Sequence, residues 1–122
     1  MSNSVIAERA FDFAVSIVRL SDYLVTEKKD FVLSKQILRS GTSIGANCAE
    51  AKYAASKKDF INKFTIALKE ANETNYWLKL LFAADKINKE KFDELAVECR
   101  HITNIISSIV KTSKENEENL PE

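Results

Sequence analysis

The sequence predicts an all-α fold, an antiparallel up-down-up-down four-helix bundle. Apolar residues recur at alternating spacings of three and four along four stretches, which is the period of an amphipathic helix. The 122 residues include two Gly and one Pro, fewer turn-forming residues than a many-stranded fold needs at its hairpins. Because the connections between the stretches are short, consecutive helices should pack antiparallel.

The first helix is predicted over residues 4–26 and carries two apolar stripes. The first stripe comprises Ile6, Ala10, Phe13, Ile17, Leu20 and Leu24. The second stripe comprises Ala7, Phe11, Ala14, Val18 and Val25. Together they form an apolar face wider than the one buried between two helices of a coiled coil, so this helix should contact several neighbouring helices. The sequence leaves open whether the second stripe is covered within one subunit or between subunits.

The second helix is predicted over residues 35–54, with Ser34 as its N-cap. Gly41 and Gly45 lie one turn apart in its interior, where each costs about 1 kcal/mol relative to Ala. Their spacing indicates a close approach of a neighbouring backbone. A helix break at Gly41 is the competing interpretation.

The third and fourth helices are predicted over residues 57–84 and 89–113. Ser56 and Asp59 have the S-x-x-D spacing of a capping box before an apolar run, and Asn88 is the N-cap of the fourth helix. Apolar residues of the fourth helix then keep a heptad pattern. A single domain is therefore assigned to residues 1–114, and the polar, acidic residues 115–122 are expected to be disordered.

Charge is distributed unevenly along a chain whose formal net charge is zero. Residues 28–69 carry nine Lys or Arg residues against Asp30, Glu50 and Asp59, a net charge of +6. The candidate nucleic-acid-binding residues in this stretch are Lys35, Arg39, Lys52, Lys57, Lys58 and Lys63. Four of these lysines surround the predicted turn between the second and third helices, where the opening N–H groups of the third would also attract anions. The alternative is a solvated basic surface without a ligand.

A motif in the middle of the chain resembles a known family. Residues 43–51 read S-I-G-A-N-C-A-E-A, and Ser56, Asp59-Phe60 and Ile66-Ala67 follow at matching distances. This order is similar to the pattern S-I-x-x-N-I-A-E-G, S-x-x-E-F and I-A-x-G-S of the 23S rRNA intervening-sequence protein family. Eight residues carry the resemblance: Ser43, Ile44, Asn47, Glu50, Ser56, Asp59, Phe60 and Glu73. The resemblance implies that these residues take part in assembly. The departures are Cys48, Ala51, Ala55, Lys69 and Asn75.

The resemblance implies a four-helix bundle that assembles into a ring-like homopentamer and has no known catalytic activity. It also implies similarity to the accessory protein of diversity-generating retroelements, which is associated with nucleic acid and a reverse transcriptase. The partners expected on this basis are further copies of the chain, and RNA, DNA or a nucleic-acid-processing protein.

Several polar and aromatic residues have a structural and a functional interpretation. Glu50 should meet a Lys, Arg or backbone donor, or water, because an unpaired buried carboxylate is costly. Asn47, Asn72 and Asn75 are expected to specify assembly or helix register. The aromatic residues Tyr53, Tyr76 and Trp77 are expected to be packing or interface residues in preference to base-stacking platforms.

The sequence offers little support for catalysis. Glu98 and His101 have the E-x-x-H spacing of a di-iron ligand pair, but a di-iron site needs two such pairs and the chain has one His. We therefore expect His101 to face solvent. Cys48 and Cys99 fall on apolar helix faces and are expected to be buried free thiols. A metal-dependent oxidoreductase is the third hypothesis, after a nucleic-acid-binding scaffold and a purely structural interaction protein.

No cofactor or small-molecule substrate is expected. No apolar run approaches the ~18 residues of a membrane span, and the N-terminus lacks the basic-then-apolar order of a signal peptide, so a cytoplasmic location without membrane contact is predicted.

Overall fold

The computed structural model describes residues 3–118, and within them the side chains of residues 5–116. Four helices follow one another: α1 (Asn3–Thr26), α2 (Leu33–Ala51), α3 (Lys57–Ala83) and α4 (Lys89–Glu118). The described residues contain no strand. The predicted all-α four-helix bundle is confirmed.

Each helix packs along the next one in the chain, and α1 closes the bundle with a less extensive contact to α4. The first and last helices, α1 and α4, are joined by an ion pair between Arg9 and Glu98. Arg9 Nε lies 2.6 Å from Glu98 Oε1, and Arg9 Nη2 lies 3.2 Å from Glu98 Oε2. Hydrogen bonds from Arg9 hold the pKa of Glu98 below its usual range. This bidentate contact therefore ties α1 to α4 at the surface.

The core lies along the axis of the bundle and takes one apolar stripe from each helix. The first stripe of α1 is buried along its whole length, as its spacing predicts. The largest fully buried apolar side chains are Ile6, Ile17, Leu24, Ile37, Ile44, Phe64, Leu78, Leu81, Ile102 and Ile106. The helical period read from the sequence therefore identifies the core-facing residues.

The start of α2 differs from the prediction. Its N-terminal N–H groups are capped by Asp30, whose Oδ1 accepts hydrogen bonds from the N–H groups of Val32 and Leu33 at 3.1 and 2.8 Å. The predicted N-cap Ser34 is instead buried inside the first turn, and its carbonyl oxygen accepts a hydrogen bond from Ser21 Oγ. The prediction of Ser34 as the cap is wrong because the helix begins one residue before it, at Leu33, where the Asp30 carboxylate reaches the opening N–H groups.

Three helix ends also shift. The second helix ends at Ala51, not near residue 54, because the Lys52 N–H turns back to the Ala49 carbonyl oxygen in a tight turn. The third ends at Ala83, one residue early. The fourth continues to Glu118, so residues 115–118 are helical and not the start of a disordered tail. Residues 119–122 lie outside the described part of the chain.

The close approach predicted from Gly41 and Gly45 is present. A Cβ on Gly41 would lie 2.8 Å from Cγ1 and Cγ2 of Ile17, and a Cβ on Gly45 would lie 3.3 Å from the carbonyl oxygen of Ala10. Both glycines lie inside the continuous helix α2, so the alternative of a break at Gly41 is wrong. The missing side chain of Gly45 lets the backbones of α1 and α2 approach each other, whereas that of Gly41 makes room for the side chain of Ile17.

The N-caps of α3 and α4 are confirmed. Ser56 Oγ accepts from the Asp59 N–H at 3.0 Å, and Asn88 Oδ1 accepts from the Lys91 N–H at 2.8 Å. Both contacts satisfy an amide that the helix itself leaves unpaired. None of the helices within residues 3–118 is long and apolar enough to cross a membrane.

Candidate nucleic-acid interface and assembly surface

The turn between α2 and α3 presents three cations to solvent. Lys52, Lys57 and Lys58 are exposed, and within residues 5–116 none of them takes part in an ion pair. We call these three residues the basic turn. Their charges are free to contact a polyanion without first breaking a contact in the protein.

The lysines at the start of α3 face different sides of the helix. Lys57 lines a cleft of about 630 Å³ between α3 and α4, whose other lining residues are apolar or carry hydroxyl or amide groups. Lys58 lines an open cleft of about 470 Å³ along the outer side of α3, together with Asn62 and Thr65. A ligand contacting both lysines would therefore extend across the end of the bundle.

The remaining candidate cations are either neutralised or distant. Lys63 Nζ lies 3.3 Å from Glu50 Oε2, and Arg39 pairs with both Glu70 and Glu73. Lys35 is exposed in the first turn of α2, so it lies some 25 Å along the helix from the basic turn at ~1.5 Å per residue. The structure therefore brings together three of the six candidate cations.

The opening of α3 is less attractive to anions than its sequence indicates. Asp59 places a carboxylate there, and Asp59 Oδ2 accepts a hydrogen bond from the Ala55 N–H at 3.2 Å. This negative charge already offsets the positive end of the helix dipole. The attraction of the basic turn for a polyanion must therefore come from lysine side chains.

The motif residues on α2 act mainly within their own helix. Ile44 is fully buried, while Ser43 Oγ donates to the Arg39 carbonyl oxygen and Asn47 Nδ2 donates to the Ser43 carbonyl oxygen. Glu50 is exposed and meets a lysine, Lys63, which is one of the partners predicted for it. Within one subunit these residues order α2 and its contact with α3.

The motif residues on α3 build its start and its contact with α2. Phe60 is half-buried, and its ring packs edge-to-face on Phe64 with centroids 4.9 Å apart. Glu73 accepts from Trp77 Nε1 at 3.0 Å in addition to pairing with Arg39. Both residues therefore have a structural role inside the subunit.

Two asparagines of α3 have different surroundings. Asn75 Nδ2 lies 3.4 Å from Thr103 Oγ1 of α4, a contact that favours one register between these helices. Asn72 is exposed. Only Asn75 is therefore placed to influence packing within the subunit.

The aromatic residues Tyr53, Tyr76 and Trp77 differ in their exposure to solvent. Trp77 packs against the core, as predicted, and Tyr76 is exposed but lies edge-on to Trp77 with centroids 5.1 Å apart. Tyr53 has 86% of its surface exposed, so it is not a packing residue of its own subunit. Sequence periodicity could not reveal this because Tyr53 lies just beyond the end of α2.

The candidate catalytic groups are placed unfavourably for chemistry. Cys48 and Cys99 are buried free thiols, as predicted, and burial raises the pKa of each to about 12. Glu98 is bound by Arg9, and exposed His101 has its Nδ1 3.1 Å from Arg9 Nη2. This E-x-x-H pair therefore lies at the surface, where it does not face the bundle core. The described residues contain no group of three or more His, Cys, Asp or Glu able to hold a metal ion.

The second stripe of α1 remains at the surface. Phe11 and Val18 are 66% and 43% exposed, while Ala7, Ala14 and Val25 are only half-buried. The fold of the single chain therefore buries the first stripe and leaves part of the second exposed.

Two lysines at the basic end of the bundle were not among the predicted candidates. Because α4 is antiparallel to α3, its last turns lie beside the basic turn, and Lys111 and Lys114 are exposed there. The antiparallel order of helices three and four was the available signal, since it places the end of one at the start of the other. Glu115, also exposed, offsets part of this added charge.

Comparison with known proteins agrees with this architecture. A family model described as 23S rRNA-intervening sequence protein matches residues 2–108. The chain is also similar to a solved structure of a protein of unknown function from the S23 ribosomal protein family of Bacteroides thetaiotaomicron, at 51% identity and a TM-score of 0.88. That match covers 91% of this chain and 99% of the other. The curated proteins include no significant match. On the extent of the family match, the chain belongs to the 23S rRNA-intervening sequence protein family.

Proposed function

We propose that this protein is a non-enzymatic, self-associating helical scaffold, a homopentamer in the cytoplasm, that presents copies of its basic turn to nucleic acid. The observation that carries the proposal is the exposed second stripe of α1. A bundle that buries one stripe of a helix and leaves a parallel one in water has a surface suited to another helix.

The geometry of α1 and α2 favours self-association through this surface. Phe11 and Val18 are two turns apart on one side of α1. The close contact at Gly45 holds the backbone of α2 beside α1, so a second copy that packs on Phe11 and Val18 would also reach α2. A stable interface buries about 800 Å² on each partner, more than one stripe supplies, so the adjoining face of α2 takes part as well.

The buried thiols support a non-enzymatic role. A thiol with a pKa of about 12 is almost entirely protonated near neutral pH, and the thiolate is the nucleophilic form. The imidazole of His101 is on the surface beside Arg9, whereas a general base for either thiol would have to face a buried cysteine.

Multiplication of the basic turn supports nucleic-acid binding. One subunit has zero formal net charge and only three free lysines at the turn, which is a weak polyanion site. A ring of five copies offers fifteen such cations to one polymer, so each additional contact forms at a high effective concentration. Counterion release from the polymer would then make the affinity salt-dependent.

Replacing Phe11 and Val18 by Lys should convert the assembly to monomers, because two charges in the apolar stripe cannot be desolvated between subunits. Light scattering should give about 69 kDa for the natural chain, five times 13.8 kDa, and 13.8 kDa for the double variant. Val97→Lys introduces a charge at an exposed valine of α4 and should leave the mass unchanged. A natural chain that is itself monomeric would contradict the proposal, and an unchanged mass in the double variant would remove the second stripe from the interface.

Reversing the basic turn by Lys52→Glu, Lys57→Glu and Lys58→Glu should weaken nucleic-acid binding at least tenfold. The slope of log affinity against log salt should fall by about 2 to 3 for each subunit that engages the oligonucleotide, if each lysine contacts one phosphate. The matched control reverses Lys28, Lys29 and Lys79, three exposed lysines towards the opposite end of the bundle, which gives the same net charge. Fluorescence anisotropy with labelled oligonucleotides measures both quantities. Equal losses in the two variants would show that net charge matters and that the turn is not a site.

A purely structural interaction protein is the second candidate. This candidate is favoured by the ion pairs of Arg39 and Lys63, which leave fewer free positive charges in residues 28–69 than the sequence indicates. Under this alternative the chain still self-associates, but any binding of oligonucleotides does not decrease as salt rises.

A further inference from the structure

We propose that the nucleic acid contacted by the basic turn is single-stranded and that one of its bases stacks on the ring of Tyr53. This inference rests on the proposed function, which it narrows to one class of ligand. Tyr53 lies in the connection between α2 and α3, directly after Lys52 and a few residues before Lys57 and Lys58. An aromatic ring and three free cations thus occupy a single turn.

The exposure of Tyr53 has no explanation in the packing of the subunit. Its side chain is 86% exposed, whereas the rings of Phe60 and Trp77 on the following helix pack on neighbouring aromatic rings. A tyrosine this exposed contributes little buried apolar surface to folding. The fold therefore leaves both the ring face and the hydroxyl group of Tyr53 to solvent.

The backbone that carries Tyr53 is nevertheless held in place. The N–H groups of Lys52, Tyr53 and Ala54 donate to the carbonyl oxygens of the last turn of α2, at 3.3, 3.0 and 3.3 Å. On the other side, the Ala55 N–H is held by Asp59 and the Asp59 N–H by Ser56. Tyr53 is therefore presented from an ordered turn, so a ligand that stacks on it does not have to order the backbone first.

Lysines beside an exposed aromatic ring match the chemistry of an unpaired strand. The cations contact the phosphates, and the ring stacks on a base without requiring a particular sequence. A duplex hides the faces of its bases inside the stack, so Tyr53 would add nothing to duplex binding. The ring therefore supplies a preference for single strands that lysines alone do not provide.

Two other exposed aromatic residues, Tyr76 and Phe31, lack one of these features. Tyr76 is engaged with Trp77 along the middle of α3, and Phe31 lies in the α1–α2 connection at the opposite end of the bundle. Tyr76 is therefore a suitable control position, since it is a partly exposed tyrosine away from the basic turn.

The test compares the full-length natural chain with Tyr53→Ala, Tyr53→Phe and Tyr76→Ala. Anisotropy is measured with a labelled mixed-sequence DNA oligonucleotide, as a single strand and as a duplex. Tyr53→Ala should weaken single-strand binding by roughly five- to a hundredfold, the contribution of one stacked base. Duplex affinity and the salt slope should be unchanged, and Tyr53→Phe and Tyr76→Ala should bind the single strand as the natural chain does.

The outcomes distinguish this inference from the proposed function. If the natural chain binds neither oligonucleotide in a salt-dependent way, the nucleic-acid role fails and this inference fails with it. If salt-dependent binding is present, Tyr53→Ala can still lower the affinity for single strand and duplex equally, or leave both affinities unchanged. Either result overturns only the stacking role. Light scattering on Tyr53→Ala provides a further check, because a change of mass would place Tyr53 between subunits and would also overturn it.

Discussion

Phe64→Ala is expected to lower the free energy of unfolding by about 3–5 kcal/mol, the largest effect of any single substitution considered for this protein. Phe64 is fully buried on α3, and its ring packs edge-to-face on Phe60. Removing the ring loses its burial and leaves a cavity that long, packed helices cannot close completely. Urea unfolding followed by circular dichroism measures the change, at one fixed protein concentration because the proposed self-association would add concentration-dependent stability.

Phe31→Ala is the matched control for this measurement. Phe31 is 57% exposed in the connection between α1 and α2, so the same chemical change should cost no more than about 0.5 kcal/mol. Similar losses at the two positions would mean that the buried stripe of α3 is not the core of the bundle.

Gly41→Leu is expected to destabilise the protein by about 2 kcal/mol, although helix propensity alone predicts the opposite sign. Leu is a better helix former than Gly by about 1 kcal/mol. A Cβ at this position, however, would lie 2.8 Å from two carbons of Ile17, which is itself fully buried. Overpacking of this kind costs about 1–3 kcal/mol, and more for a whole side chain than for one methylene. Chemical denaturation gives the sign directly.

Two further variants separate crowding from other causes. Ala46→Leu adds a similar side chain at an exposed position of the same helix and should change stability by less than about 0.5 kcal/mol. The double variant Ile17→Ala with Gly41→Leu should lose less free energy of unfolding than the sum of the two single losses, because Ile17→Ala removes the atoms that the introduced leucine side chain would otherwise overlap. An additive pair, or a stabilised Gly41→Leu, would show that α1 and α2 do not meet closely there.

The arrangement of the basic turn could be predicted in part. Ser56 and Asp59 identified the start of α3, and the lysines around it were visible in the sequence. The pairing of Arg39 with Glu70 and Glu73, and of Lys63 with Glu50, could not be read from the chain. These pairs join different helices, so they depend on the rotation of α2 against α3, which local patterns leave undetermined.

The sequence by itself determined the number of helices, the residues that face the core, the caps at Ser56 and Asn88, and the close contact at Gly41. The first three follow from helical period or local hydrogen bonding, which involve residues no more than a few positions apart, and the last follows from the cost of Gly inside a helix. Tertiary structure alone decided that Ser34 is buried, that the second stripe of α1 stays at the surface, and that the side chain of Tyr53 is exposed. Those outcomes depend on which surfaces meet when four helices pack together, and periodicity specifies a face to be buried without specifying what will cover it.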